Sequence, residues 1–209
     1  MTIKTEDLLN SILGSLDRIA YIKSKDIPNI DLYMDQVTTF MESHLKSSTR
    51  HPGQDKILTK TMINNYAKND LLPPPKKKKY TKDHVMLLIF IYYYKGILSI
   101  NDIQELLKPV TEQFFDTKEG FGLEEIYETV FGLEQEQAET MKKDIIEKFQ
   151  ISEKTFQEAP ADSQEFLQKF SFICMLSFDV YVKKLLIEKM IDSFQDSKDK
   201  AHEKTTREQ

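Results

Sequence analysis

Thiol chemistry is nearly missing from this chain, which has one cysteine, Cys174, in 209 residues. One thiol closes no intrachain disulfide and builds no cysteine-based metal site. Its neighbours, Phe172-Ile173-Cys174-Met175-Leu176, predict a buried small hydrophobe rather than a reactive group. Histidine is scarce too. His44, His51, His84 and His202 make no metal-spaced pair with one another or with the cysteine, so no metal is expected. His84 reads as a partly exposed helix residue. The chain lacks a nucleophile elbow, a glycine-rich phosphate loop and a carboxylate pair at catalytic spacing, so it is not read as an enzyme and no cofactor is expected. Long apolar runs are also lacking. The longest, Val85 to Tyr94, has ten residues, where a membrane-spanning helix needs about 20. No basic start followed by an apolar core marks a secretion signal. A cytoplasmic protein with no membrane partner is expected.

What the chain does have is a packed-fold composition, 40% hydrophobic and 30% charged, and an uneven distribution of charge. The formal net charge is −5. Residues 54–100 hold nine Lys against Asp55, Asp70 and Asp83, a balance of +6. Residues 101–209 hold 14 Lys and Arg against 24 Asp and Glu, a balance of −10, and residues 1–53 carry −1. A basic segment inside an acidic protein is an electrostatic footprint for a polyanion.

Helical periodicity runs through most of the sequence. Glu6 to Tyr21 places Leu8, Leu9, Ile12, Leu13, Leu16 and Ile19 on one face. Ile27-Pro28-Asn29 breaks it, and Asp31 is positioned to cap a second helix whose face carries Tyr33, Val37, Phe40 and Met41. Pro52 and Gly53 mark a loop. Thr59 caps a short helix to about Asn69, and three prolines then forbid helix. Thr81 caps a helix to Lys95 that is apolar almost all round and so belongs in the core. Gly96 suits the position beyond its end, and Ser99 with Asp102 resembles a capping box that opens the next helix. Pro109, Gly120 and Gly122 predict a hinge. Leu123 to Phe149 reads as helix, with Gly132 a point of interruption. A helix from Asp162 or Ser163 to about Phe194 carries Phe166, Ile173, Val180, Ile187 and Phe194 every seven residues, widened by Phe170, Tyr181, Leu185 and Met190. Such a stripe suits an intrachain core or a partner helix equally. Residues 197–209 are polar and charged, as in a frayed tail.

One constellation carries chemistry. Thr61, Asn64, Asn65 and Lys68 fall at i, i+3, i+4 and i+7, on one face of the helix after Thr59. Asn pairs bidentately with adenine in the major groove, and Lys reaches guanine or phosphate. Any surface helix also has a polar face. Here, however, Pro73-Pro74-Pro75 stiffen the path to Lys76-Lys77-Lys78-Lys79. Four like charges repel one another, and phosphate contacts made by them would position a protein without reading sequence. Lys60 and Lys82 flank the segment as further phosphate candidates. Tyr92-Tyr93-Tyr94 with Phe90 could stack on bases, but at helical spacing the rings diverge and serve better as wedges into the core.

The order of these pieces resembles the DNA-binding domain of MerR-type regulators. The shared elements are Tyr66, Leu71-Leu72-Pro73-Pro74, Tyr80-Thr81 and Ser99-Ile100-Asn101-Asp102-Ile103. Together with Ile27-Pro28-Asn29-Ile30-Asp31-Leu32-Tyr33, the block is still more similar to a bacterial family labelled domain of unknown function 1836. The chain departs from the MerR pattern at Asn64 and Asn65, which stand where an arginine and a first tyrosine are usual, and in having no glycine at a wing tip. The resemblance implies an all-α protein whose MerR-like winged helix-turn-helix head has a short, at most two-stranded wing near residues 73–80. The expected organisation is an N-terminal amphipathic helix over 1–26, the head over 27–108, a hinge over 109–122, a C-terminal helical region over 123–196 and the tail over 197–209. The implied function is transcription regulation on double-stranded, pseudo-palindromic DNA by a homodimer joined through 123–194. The competing expectation is a non-catalytic protein-interaction module that keeps the winged-helix fold without DNA binding.

Overall fold

A computed structural model describes residues 5–16, 22–51 and 53–207. It is mostly helical, with one two-stranded antiparallel sheet among the described residues. The chain divides into two compact units, one of Ile22–Thr129 with Leu186–Gln209 and one of Met1–Tyr21 with Val130–Leu185. The first helix, α1, spans Thr5–Leu16. The rest of the helix expected to Tyr21 lies outside the described residues.

In the unit of 22–129, strand β1 (Leu32–Tyr33) leads into helix α2 (Met34–Leu45). Helix α3 (Lys60–Lys68) follows a loop, then strand β2 (Lys79–Tyr80), helix α4 (Lys82–Tyr94) and helix α5 (Ile100–Phe114). The start of helix α6 (Leu123–Glu153) completes it. Helix α4 is the centre of the core, as its all-round apolarity requires: every residue from His84 to Ile91 is buried. Burying an aliphatic or aromatic side chain contributes about 1.5–3 kcal/mol, so this one helix supplies a large share of the unit's apolar burial. Val37, Met41 and Leu45 of α2, Ile63 and Tyr66 of α3, and Ile103 and Leu107 of α5 are buried with it. Tyr127 of α6 meets Phe90 edge to face at 5.6 Å and donates to the Ile22 carbonyl at 2.5 Å.

Several local expectations change. Asp31 does not cap α2. Leu32 and Tyr33 are drawn into the sheet, and Tyr33 becomes the N-cap, its N–H donating to Gln36 Oε1 at 2.8 Å. The wing is not a hairpin within 73–80. Tyr80 and Lys79 pair with Leu32 and Tyr33, and the bridge between Lys76 and Lys79 only closes a turn. Pro109 lies inside α5, which continues to Phe114. Proline removes one ladder bond but does not end the helix here, so the non-helical stretch narrows to 115–122. Gly96 is not among the positive-φ glycines. The chain leaves α4 through a turn in which the N–H groups of Ile97 and Leu98 both donate to the Tyr94 carbonyl at 2.9 Å. The Ser99–Asp102 box forms as expected, with both bonds at 3.1 Å.

In the unit of 130–185, α6 and helix α7 (Ala161–Arg207) form an antiparallel hairpin. Gly132 does not interrupt α6, and α7 runs past Phe194 to Arg207. Phe149 meets Phe172 edge to face at 5.5 Å, and Lys148 bridges to Asp179 at 2.8 Å. Gln168 donates to the carbonyls of Glu153 and Thr155 and so closes the turn. The buried side of α7 is therefore the Phe172 side. Phe166, Ile173 and Val180, the start of the seven-residue repeat, are exposed. Cys174 is exposed as well, contrary to expectation, because it lies on the far side of the helix from Phe172.

Candidate nucleic-acid interface

Thr59 starts α3 by accepting the Met62 N–H on its hydroxyl at 3.2 Å, which satisfies one of the donors a helix leaves free at its start. Ile63 and Tyr66 are buried, and burial pushes the Tyr66 phenol up from its ordinary value. Spacings of three and four residues then leave Thr61, Asn64, Asn65 and Lys68 exposed together on the other face, with Lys60 beside them. Asp70 ends the helix at φ +54. The Leu71 N–H bonds back to the Tyr66 carbonyl at 2.9 Å, the left-handed closure that usually employs glycine. Leu71 and Leu72 are buried and anchor the proline run.

The lysine run forms the tip. Lys79 donates its N–H to the Lys76 carbonyl at 3.0 Å, with Lys77 at φ +51 and Lys78 at φ +64. Left-handed values at both central residues define a type I′ turn, whose twist suits antiparallel strands and which normally selects Asn-Gly. Two lysines in that conformation strain the backbone by about 1–2 kcal/mol each. Tyr80, buried, and its pairing with Leu32 fix the base of the turn, and the Lys79 ammonium lies 5.3 Å from the Tyr33 ring centroid.

The lysines are not equivalent. Lys60 pairs with Asp35. Lys76 pairs with Asp116 at 2.5 Å, and Lys82 with Glu124 at 2.5 Å in a largely covered position. The Lys76 ammonium holds the Asp116 carboxyl below its ordinary range. Lys77 and Lys78 at the tip are exposed and form no ion pair among the described residues. The proline approach is backed by His84, which is 1% exposed and not partly exposed as its place near a helix start suggests. Its Nδ1 accepts the Thr81 backbone N–H at 3.0 Å, so the proton of the neutral ring sits on Nε2. That atom makes no full hydrogen bond but is near enough to the Pro74 and Pro73 carbonyls to feel their dipoles. Burial holds the ring's pKa below its ordinary value. Tyr80 and Phe115 present ring edges to it at 5.5 and 4.8 Å. A threonine cap with histidine three residues on was the one sequence signal for this arrangement.

Beside this region a polar cleft of about 180 Å³ opens among Asn29, Asp31, Thr81, Asp83 and Asp116, smaller than the roughly 300 Å³ at which ligand pockets begin. The tyrosine run is engaged within the chain. Tyr92 shares a hydrogen bond with Ser48 at 2.8 Å, and Lys95 lies over its ring while donating to the Ile57 carbonyl at 2.6 Å. Among the described residues no group of His, Cys, Asp and Glu is arranged to hold a metal ion, and no helix is long and apolar enough to cross a membrane.

The family described as a domain of unknown function (DUF1836) matches residues 22–130, more than half of the chain, and the chain belongs to that family. No curated protein and no solved structure matches it.

Proposed function

We propose that residues 22–129 are a DNA-binding head of the MerR-like winged helix-turn-helix kind, and that the protein regulates transcription. In this reading α3 enters the major groove, Asn64 and Asn65 read base edges, and Thr61 and Lys68 flank them. The lysine turn grips phosphate beside the groove. The observation that carries the reading is the tip itself. Two lysines that form no ion pair among the described residues are held forward in left-handed conformation on a proline-stiffened, sheet-anchored turn. Strain retained at an exposed charged tip motivates a functional role for it. Two such heads in a homodimer would read the halves of a pseudo-palindrome.

The test separates affinity from specificity. Asn64→Ala with Asn65→Ala should weaken the preferred site by about 1–3 kcal/mol and random duplex far less. The preferred site is first selected from a random duplex pool. Changing Tyr66 should instead loosen the fold, because its ring is in the core. Asp116→Asn releases Lys76 from its competing carboxylate and should tighten binding to any duplex by roughly two- to tenfold, because an exposed pair is worth little. Polarisation titrations of the asparagine and Asp116 variants and thermal denaturation of the Tyr66 variant check these outcomes.

A second reading has its own support. Lys60, Lys76 and Lys82 each already hold a carboxylate of their own chain, so an acidic protein surface could take the tip lysines in the same way. An interaction module of that kind would leave the α3 asparagines without a role. Loss of DNA binding from neither asparagine nor lysine variants would favour it.

A further inference from the structure

Helix α7 carries an uncovered apolar face that the core does not use. At about 100° per residue, Val180, Ile173, Phe166, Phe170, Tyr181, Cys174, Leu185 and Phe178 fall within one arc of roughly 160°. Phe166 is 68% exposed, Phe178 66% and Tyr181 64%, and Val180, Ile173, Phe170 and Leu185 are each more than a third exposed, while Leu167, on the same arc, is half-buried. Phe166 and Phe170 stack on each other at 6.3 Å along the surface. Between Phe166 and Tyr181 the arc contains no charged residue. Lys169 and Asp179 lie outside it, paired with Glu165 and Lys148.

The exposed apolar area is on the order of 700–800 Å², given aromatic side chains of about 150–250 Å². That exceeds the roughly 300–600 Å² of the largest patch on a typical monomer and equals the share of about 800 Å² that each partner gives to a stable interface. The charges at its two ends differ in sign. Asp162 and Glu165, the latter paired with Lys169, stand at the N-terminal end, and Lys183 and Lys184 at the C-terminal end. Two copies laid antiparallel bring each acidic end against a basic end and oppose the helix dipoles favourably. Two parallel copies would set like charges together at both ends.

We propose that a second copy of this chain docks on this face, with the two α7 helices antiparallel and Cys174 near the two-fold axis. The seven-residue repeat points to 123–194 as a dimerisation region. The exposed set narrows it to one face between Phe166 and Leu185 and gives it a direction. The inference stands apart from DNA binding and is tested without DNA.

Sedimentation equilibrium of the full chain at micromolar concentration should give twice the 24.5 kDa of one chain. Mild oxidation should link two copies through Cys174, and Cys174→Ser should abolish the link. Phe166→Gln, Phe170→Gln and Tyr181→Gln together should leave the helical circular dichroism unchanged, since these rings are exposed, yet sediment as one chain and fail to cross-link. Direction is read in a Cys174→Ser background. A mixture of Asp162→Cys and Lys184→Cys chains should cross-link, whereas neither should cross-link alone. A single-chain mass for the wild type, or a dimer that survives the triple glutamine change, overturns the face. Self-linking of the Asp162→Cys chain overturns the antiparallel arrangement.

Discussion

Lys77→Asn with Lys78→Gly should make the protein more stable and its grip on DNA weaker at the same time. Both positions hold positive φ, and Asn-Gly is the pair that a type I′ turn prefers. Relief of left-handed strain, less the greater unfolded-state freedom of glycine, should raise stability by about 1 kcal/mol in total. The same change removes the two lysines that form no ion pair among the described residues. If each neutralises one phosphate, the log–log salt slope should flatten by about 1.8 and affinity near 0.1 M salt should fall roughly 60-fold. Lys60→Ala or Lys82→Ala should do less, since those groups are held by Asp35 and Glu124. Urea denaturation and polarisation titrations on the same variant give the two signs. A variant that gains stability and keeps full affinity would remove the tip from the interface.

Acid should loosen the head through His84. The folded ring is neutral, because Nδ1 must accept the Thr81 N–H, and burial lowers its pKa below the ordinary 6.5. The unfolded ring takes up its proton near that ordinary value. Between the two pKa values the unfolded state binds more protons, so stability is full above about pH 6.5 and falls as pH drops below it, by about 1.4 kcal/mol per pH unit. The fall stops once the folded ring also titrates. Asp83 acts in the opposite sense at lower pH, since burial raises its carboxyl above 3.8, and comparison of variants cancels it. His84→Gln keeps an acceptor for the Thr81 N–H but loses the ring contacts to Tyr80 and Phe115. It should be less stable at neutral pH and show a flatter profile below pH 6.5. An identical acid slope in both proteins would contradict the role given to His84.

The parts of this fold that are legible in sequence are those set by local periodicity and capping. Helix α4 announces itself by being apolar on every side, and α3 by Met62, Ile63 and Tyr66 recurring opposite Thr61, Asn64, Asn65 and Lys68. Ser99 and Asp102 make the bonds their spacing implies. The wing was harder to read. Its strand partner is two residues long and 46 to 48 positions away, and Leu32 and Tyr33 show no alternation to mark a strand. The tip hides its turn type because lysines occupy positions where Asn-Gly would have declared it. The burial of His84 follows from the packing of Tyr80 and Phe115 around it, and no local pattern states that packing. The stripe on α7 is legible as apolar but not as exposed. A seven-residue repeat looks the same whether it faces its own chain or another, and the exposure of Cys174 is illegible in sequence for the same reason.

The salt dependence of binding to duplex DNA tests the central claim most directly. The full chain is titrated against a labelled duplex in a series from about 50 mM to 300 mM salt, a range in which phosphate contacts dominate affinity. A DNA-binding head gripping phosphate through Lys77 and Lys78 predicts binding at the low end that weakens linearly in log–log form, with a slope of about −2 or steeper for each head. No binding at the lowest salt, or an affinity that does not change across the series, would contradict it.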